Sequence, residues 1–103
     1  MAEHVVCKLE QLPEAMGLPF EVDGTVVAVV RLGQSVYAIE DRCSHQDVPL
    51  SEGSVDAYEC SIECIKHGST FDLRTGEPLC LPATRAVPVY TVTVRDGEVV
   101  VEL

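Results

Sequence analysis

Two short cysteine and histidine pairs place the strongest constraint on how this chain can fold. The first pair, Cys43 and His45, has the spacing C-x-H, and the second, Cys64 and His67, has the spacing C-x-x-H. Each pair offers one thiolate and one imidazole, which are ligands that soft and borderline transition metals accept. A metal centre that used both pairs would bring two distant loops side by side.

The sequence around these pairs indicates an all-β fold. Helical periodicity is nearly absent, whereas short β-branched runs recur between Gly, Asp and Pro residues. Asp23-Gly24 and Asp96-Gly97 accept the positive φ angles of tight hairpin turns. One short helical turn is expected within residues 9–16. The predicted strands are Val5–Leu9, Phe20–Val22, Thr25–Leu32, Ser35–Glu40, Val89–Arg95 and Glu98–Glu102.

The character of the sequence changes between residues 41 and 88. Strand patterns become short and ambiguous there, and Cys, His, Gly, Ser and Pro become frequent. With 103 residues the chain is expected to form a single domain, residues 1–103. We predict an antiparallel β-sandwich base made from both ends of the chain. A small inserted lobe, about residues 41–81, would carry both cysteine and histidine pairs.

The charge of the chain excludes some classes of function. The formal net charge is −10 with only 7 Lys and Arg residues, which disfavours binding to nucleic acids or to an anionic membrane. The same charge would steer the protein toward a basic patch on another protein. The amino-terminal residues lack a signal-peptide pattern, and the apolar run Val26–Val30 is too short to span a bilayer. We therefore expect a cytoplasmic protein.

The four ligand candidates are compatible with two kinds of metal site. Two loops of this type can hold a binuclear iron–sulfur centre, with the thiolates on one iron and the imidazoles on the other. A structural zinc site of the Cys₂His₂ type needs the same ligand atoms, although its usual spacings, C-x₂-C and H-x₃-H, do not occur. Five Cys residues without an export signal argue against a disulfide framework.

The ligand pairs and the residues after them resemble the Rieske proteins, and more narrowly the Rieske-type ferredoxins of bacterial ring-hydroxylating oxygenases. The resemblance extends over nearly the whole chain. Its specific parts are C-S-H at 43–45, C-I-K-H-G-S-T-F-D at 64–72, G-E-P at 76–78 and P-A at 82–83. It implies a Rieske-type fold and one [2Fe-2S] cluster.

The resemblance also implies the roles of the ligands. Cys43 and Cys64 would bind the buried iron, and His45 and His67 the exposed iron.

Three further residues have implied roles around the cluster. Gly68 would allow backbone amides to approach the sulfides, Ser69 would donate a hydroxyl hydrogen bond to a bridging sulfide, and Pro82 would lie in the loop that covers the cluster.

Two differences from the respiratory-chain Rieske proteins indicate a low reduction potential. Val48 and Lys66 occupy the positions of an additional disulfide, and Phe71 stands in place of a hydrogen-bonding Tyr. Fewer hydrogen bonds to the sulfurs stabilise the reduced cluster less, so the potential should lie near the low end of the range of roughly −150 to +300 mV.

The implied function is single-electron transfer by a carrier that is not a complete enzyme. The expected partners are a flavin-dependent NAD(P)H reductase and a terminal Rieske non-haem iron oxygenase. The segment 59–64 is also similar to Rieske ferredoxins associated with actinobacterial iron–sulfur assembly, so assembly proteins are the alternative partners.

The remaining cysteines and histidine are not expected to be metal ligands. Cys7 and Cys80 lie in predicted strands and are expected to fill the core. Cys60 is either buried in the same way or a partly exposed thiol, and His4 is expected at the surface.

Overall fold

The computed structural model describes residues 2–44, 47–66, 68–81 and 83–103. These residues form nine strands and two short 3-10 turns, at Leu9–Gln11 and Leu50–Glu52. The strands are β1 (Glu3–Lys8), β2 (Gly17–Val22), β3 (Thr25–Leu32), β4 (Ser35–Glu40), β5 (Val55–Asp56), β6 (Ser61–Glu63), β7 (Thr70–Asp72), β8 (Val89–Arg95) and β9 (Glu98–Glu102).

The predicted strands are confirmed, and four of them keep their bounds. These four are β3, β4, β8 and β9. Strand β1 begins at Glu3 rather than Val5 and ends before Leu9, which opens the first 3-10 turn instead. Strand β2 begins at Gly17 rather than Phe20, because it pairs with β3 along its full length.

The base is one antiparallel sheet in the order β1-β9-β8-β4-β3-β2. A short pairing of β4 with β8, at Ala38–Tyr90 and Ile39–Val89, joins its two halves. Buried Val residues of β3 and of β9 share one core, so the two halves face each other as a sandwich. Both Asp-Gly turns have positive φ angles, as predicted for tight hairpins.

Strand β3 is buried on both of its faces, which accounts for its continuous apolar sequence. Val27 and Val29 point into the core of the base, whereas Ala28 and Val30 point into a second core. Side chains alternate between the faces of a strand, so β3 separates the two cores. The second core contains Leu50, Ile62 and Phe71 of the inserted segment, and it attaches the lobe to the base.

The lobe contains the small antiparallel sheet β5-β6-β7. A segment after β7 extends this sheet: Phe71 forms a bridge with Pro78, and the Leu79 amide donates to the Thr70 carbonyl at 2.7 Å. The small lobe of the predicted fold thus lies between β4 and β8. Its predicted bounds, about residues 41–81, stay a prediction.

One assignment in the base is wrong. His4, expected at the surface, lies in β1, and its Nε2 is buried without a hydrogen-bond partner among the described residues. No helix in the described part of the chain has the length and apolar character needed to cross a membrane.

Candidate metal centre

The first cysteine loop begins just after β4. Cys43 exposes only 2% of its surface, and its amide donates to the Val48 carbonyl at 2.9 Å, which closes the loop. The Ser44 hydroxyl donates to the Arg85 carbonyl at 2.6 Å. These two bonds fix the path of the backbone on both sides of the loop.

Asp41, which lies just before the first cysteine loop, forms a further contact that holds this loop. Its carboxylate accepts hydrogen bonds from the amide and the hydroxyl of Ser51, at 2.6 and 2.7 Å. Ser51 is 7% exposed, so this contact lies largely out of solvent. The contact connects the end of β4 to the second 3-10 turn.

The second cysteine loop joins β6 to β7. Cys64 is 1% exposed, and its amide donates to the Ser69 carbonyl at 2.7 Å. The Gly68 amide donates back to the Cys64 carbonyl at 3.0 Å. Gly68 has a φ of +75°, a left-handed conformation that costs other residues free energy.

The two loops are closed in the same way. In each loop a buried cysteine donates its amide to the carbonyl five positions later, from Cys43 to Val48 and from Cys64 to Ser69. Both cysteine side chains belong to the core cluster that joins lobe and base. The fold therefore brings the two predicted thiolate ligands into one buried region.

Ser69 supplies a polar group in this apolar region. Its side chain is completely buried, and its Oγ accepts a hydrogen bond from the Ala83 amide at 3.1 Å. A hydroxyl that accepts one bond still carries a proton to donate. No acceptor for that proton lies among the described residues, which leaves a buried donor for a further group.

Cys60, the other candidate thiol in the lobe, has a different environment. It lies in a turn with a φ of 56°, and its carbonyl accepts the Leu73 amide at 2.9 Å. Its thiol faces the Tyr37 hydroxyl, and this contact together with burial raises the pKa of Tyr37. Cys60 thus has a structural partner and does not begin a loop closed like those of Cys43 and Cys64.

Cys80 is not a buried filler in a strand, as the sequence suggested. It is exposed and lies in the segment after β7, where its Sγ contacts Thr70 Oγ1 at 3.4 Å and the Gly68 carbonyl at 3.5 Å. Its neighbours Leu79 and Leu81 are also exposed. Sequence reasoning missed this contact because the short apolar run 79–81 resembles a buried strand.

Three predicted site residues lie outside the described residues: His45, His67 and Pro82. Among the described residues no group of three or more His, Cys, Asp and Glu side chains comes close enough to hold a metal ion. Cys43 and Cys64 are therefore the two predicted ligands whose surroundings are known.

Residues 2–91 match the sequence profile of the Rieske [2Fe-2S] domain. The chain belongs to the Rieske [2Fe-2S] domain family. The cofactor of this family is one [2Fe-2S] cluster in which two histidines replace two of the four cysteine ligands. The Rieske fold predicted from the sequence is confirmed.

Individual relatives agree with this assignment along nearly the whole chain. The ferredoxin subunit of 3-phenylpropionate/cinnamic acid dioxygenase from Escherichia coli K12 is 37% identical over 97 residues, or 94% of this chain and 90% of the relative. The solved ferredoxin of carbazole 1,9a-dioxygenase from Nocardioides aromaticivorans IC177 is 42% identical, with a TM-score of 0.95, covering 98% of this chain and 97% of the other.

A third match is a ferredoxin solved in complex with the reduced oxygenase of carbazole 1,9a-dioxygenase. It is 36% identical with a TM-score of 0.89, and the alignment covers 96% of this chain and all of the other. In that complex the oxidised ferredoxin is bound to the reduced oxygenase.

The described residues fit a Rieske cluster. Cys43 and Cys64 provide two buried sulfur atoms, and Ser69 provides a buried hydroxyl donor in the same loop as Cys64. Thiolates in an apolar core are costly unless a metal neutralises them, so a cluster would account for two cysteines at the centre of this region.

Proposed function

We propose that this chain is the ferredoxin component of a ring-hydroxylating dioxygenase system. In this proposal Cys43, His45, Cys64 and His67 ligate one Rieske [2Fe-2S] cluster, which supplies one-electron redox chemistry. A flavin-dependent NAD(P)H reductase delivers single electrons, and a terminal Rieske non-haem iron oxygenase receives them. The carrier itself would catalyse no reaction on the aromatic substrate, and we place it in the cytoplasm.

One observation carries the proposal. Two buried cysteines begin loops of matching closure, in a chain that aligns with dioxygenase ferredoxins over 90% or more of their length. Apolar side chains on these loops and strands exclude water from the sulfur atoms, as Leu50 and Phe71 do in the shared core. A dry environment holds the cluster and limits its exposure to solvent.

The surface beside the second loop suits a transient partner. Ile65, Leu79 and Leu81 of the lobe expose 55%, 50% and 77% of their surface, and exposed apolar groups that lie together are typical of interaction sites. Lys66 and Arg42 lie next to the proposed ligands in a chain of net charge −10. An apolar rim with few charges allows a redox partner to approach closely and then dissociate.

The proposal is tested first by spectroscopy of anaerobically purified protein. We expect a brown protein whose EPR signal, after reduction with dithionite, has a lower average g value than that of Cys₄ ferredoxins. Rapid reduction by NADH with a flavin reductase, followed by reoxidation only when oxygenase and substrate are added, would establish the electron path. A colourless protein with stoichiometric zinc would overturn the proposal.

Ligand variants test the assignment of each residue. Cys64→Ser should abolish the Rieske EPR signal, whereas Cys60→Ser and Cys7→Ser should retain it. His67→Cys should lower the reduction potential if a cluster assembles, because a thiolate adds negative charge. A variant that kept the wild-type potential would show that His67 is not a ligand. Stable co-purification with assembly proteins, without electron transfer to an oxygenase, would favour the assembly role.

A further inference from the structure

A strap of residues crosses the second cysteine loop. The strap consists of residues 77–81 with Ala83, and it begins as an extra strand beside β7. The Asp72 amide donates to the Glu77 carbonyl at 2.9 Å, and the Leu79 amide donates to the Thr70 carbonyl at 2.7 Å. After Leu79 these backbone pairs end, so side chains must hold the rest of the strap.

Two side chains take over at this point. Cys80 Sγ lies 3.4 Å from Thr70 Oγ1 and 3.5 Å from the Gly68 carbonyl oxygen. The Ala83 amide donates to Ser69 Oγ at 3.1 Å. Each of the three residues that follow the proposed ligand His67 therefore has a hydrogen bond to the strap. These residues are Gly68, Ser69 and Thr70.

The directions of the hydrogen bonds at Cys80 follow from the groups present. The Gly68 carbonyl can only accept, so the thiol donates its single proton to it. The sulfur then accepts a hydrogen bond from the Thr70 hydroxyl, since either atom of that pair can be the donor. Cys80 thus forms the middle of a chain from Thr70 to Gly68.

The Gly68 carbonyl and the Ser69 amide belong to one peptide unit. A trans peptide is planar, and its C=O and N–H bonds point in opposite directions. Cys80 is exposed, so the thiol holds the carbonyl toward the exposed side, and the amide of the fully buried Ser69 points away from it. Gly68, with a φ of +75°, has no side chain to oppose rotation of this peptide.

We infer that Cys80 is a positioning residue for the cluster. Its thiol holds the Gly68 carbonyl, which directs the Ser69 amide to the buried side, where it donates a hydrogen bond toward the sulfur atoms. Hydrogen bonds to the sulfurs of an iron–sulfur cluster stabilise the reduced form and raise its potential. The inference rests on the proposed function, because it requires the cluster to be held by the second loop.

Two substitutions at one position separate the hydrogen bond from the volume of the side chain. Cys80→Val keeps a similar size but cannot donate, and we expect a lower reduction potential in an anaerobic redox titration. Cys80→Ser keeps a donor and an acceptor, and we expect a potential close to that of the wild type. Cys7→Val, which changes a thiol in β1 of the base, should leave the potential unchanged.

Alkylation of the folded, cluster-loaded protein provides a second measurement that does not depend on the folding of a variant. Iodoacetamide should modify the exposed Cys80 and remove its proton, and the potential should fall as in Cys80→Val. Cys80→Ser treated in the same way should not change. If both Cys80→Val and the alkylated wild type keep the original potential and EPR line shape, the inference is wrong.

The same experiments distinguish this failure from failure of the proposed function. A wild-type protein without a Rieske EPR signal would contradict the proposed function itself. A wild-type Rieske signal combined with an unchanged potential in the modified proteins would contradict only the role of Cys80.

Discussion

The base and the lobe are held together by different kinds of interaction. In the base, long strands pair residue by residue, and β3 alone forms six pairs with β2 and six with β4. In the lobe, strands of two or three residues are supplemented by contacts from side chains to backbone, such as those of Asp41, Ser44 and Ser69. The base is thus stabilised by regular pairing, and the lobe by individual contacts.

The glycines show the same contrast. In the base, a Cβ added to Gly97 in the β8–β9 turn would meet nothing within 4 Å. One added to Gly76, which follows β7 of the lobe, would lie 2.0 Å from the Val87 carbonyl oxygen. In the lobe, a Cβ on Gly53 would lie 1.6 Å from the Glu63 carbonyl oxygen. Close backbone packing in the lobe makes it sensitive to single changes, as expected of a segment that must hold two loops in fixed positions.

Removal of the cluster should affect more residues than any other change, and the effect should be confined to the lobe. Binding energy from a cluster that links two loops stabilises those loops most. In hydrogen exchange of protein stripped of iron, amides of residues 41–88 should exchange about 100-fold faster or more, while those of β3 and β4 stay protected. Uniform acceleration throughout the chain would show that base and lobe unfold as one unit.

Gly76→Ala and Gly97→Ala form a matched pair, because both glycines have a φ of +78°. Both substitutions should therefore lower the free energy of unfolding by about 1–2 kcal/mol through the backbone conformation alone. Gly76→Ala adds the clash with Val87, and the total loss should reach about 4 kcal/mol, as for other severe core substitutions. Urea denaturation of the two variants measures the difference.

Equal losses from the two glycine substitutions would show that the lobe relaxes around the added methyl group. The contrast in backbone packing would then not extend to stability.

Much of the base could be predicted from the sequence because its signals are local. Each Asp-Gly turn, and each β-branched run of β8 and β9, is recognised from a few neighbouring residues alone. Cys43 and Cys64 can also be named as ligand candidates from the sequence, because their spacing to a histidine is a local motif. The structure buries both in one shared core, and their role as ligands stays a prediction.

The parts of the lobe that were missed depend on distant contacts. The side chain of Cys80 contacts Gly68 and Thr70, which lie ten or more residues earlier in the chain. The short strands β5 and β6 contain two and three residues, too few to give a periodic pattern. The buried Nε2 of His4 depends on its pairing with Val101 at the far end of the sequence.

Asp41→Ala should lower the free energy of unfolding by an intermediate amount, about 2 kcal/mol. The substitution leaves the largely buried amide and hydroxyl of Ser51 without their acceptor. The loss should appear as a lower midpoint in urea unfolding, with faster release of iron from the first loop. Asp56→Ala, which removes the acceptor for exposed amides of Tyr58 and Glu59, is the control and should cost less. A larger loss for Asp56→Ala would contradict the view that burial makes the Asp41 contact important.

The smallest predicted effect concerns pH and compares one ion pair from each region. In the lobe, hydrogen bonds from Arg74 hold the pKa of Asp72 below its ordinary value of 3.8, and the Asp72 side chain is only 14% exposed. In the base, Arg95 lowers the pKa of Glu3, but both side chains are about half exposed. Solvent screening should therefore weaken the pair in the base more.

The sign of the pH effect follows from the lowered pKa of Asp72. The native carboxyl binds its proton more weakly than the unfolded one, so its stabilising contribution is complete well above pH 3.8. It decreases as the pH falls toward the lower native pKa and disappears below that value. Asp72→Asn should therefore reduce stability by about 0.5–1 kcal/mol at pH 6 and by progressively less below pH 4.

Thermal unfolding of the wild type, Asp72→Asn and Glu3→Gln between pH 3 and pH 6 checks this prediction. The gap between the wild type and Asp72→Asn should narrow as the pH falls, whereas Glu3→Gln should differ little from the wild type throughout. If Glu3→Gln showed the larger pH-dependent loss, the contrast between the two regions would not extend to their ion pairs. A gap for Asp72→Asn that stayed constant with pH would instead assign the loss of stability to the altered turn around Arg74, because a contribution from the Asp72 charge must fade as that carboxyl is protonated.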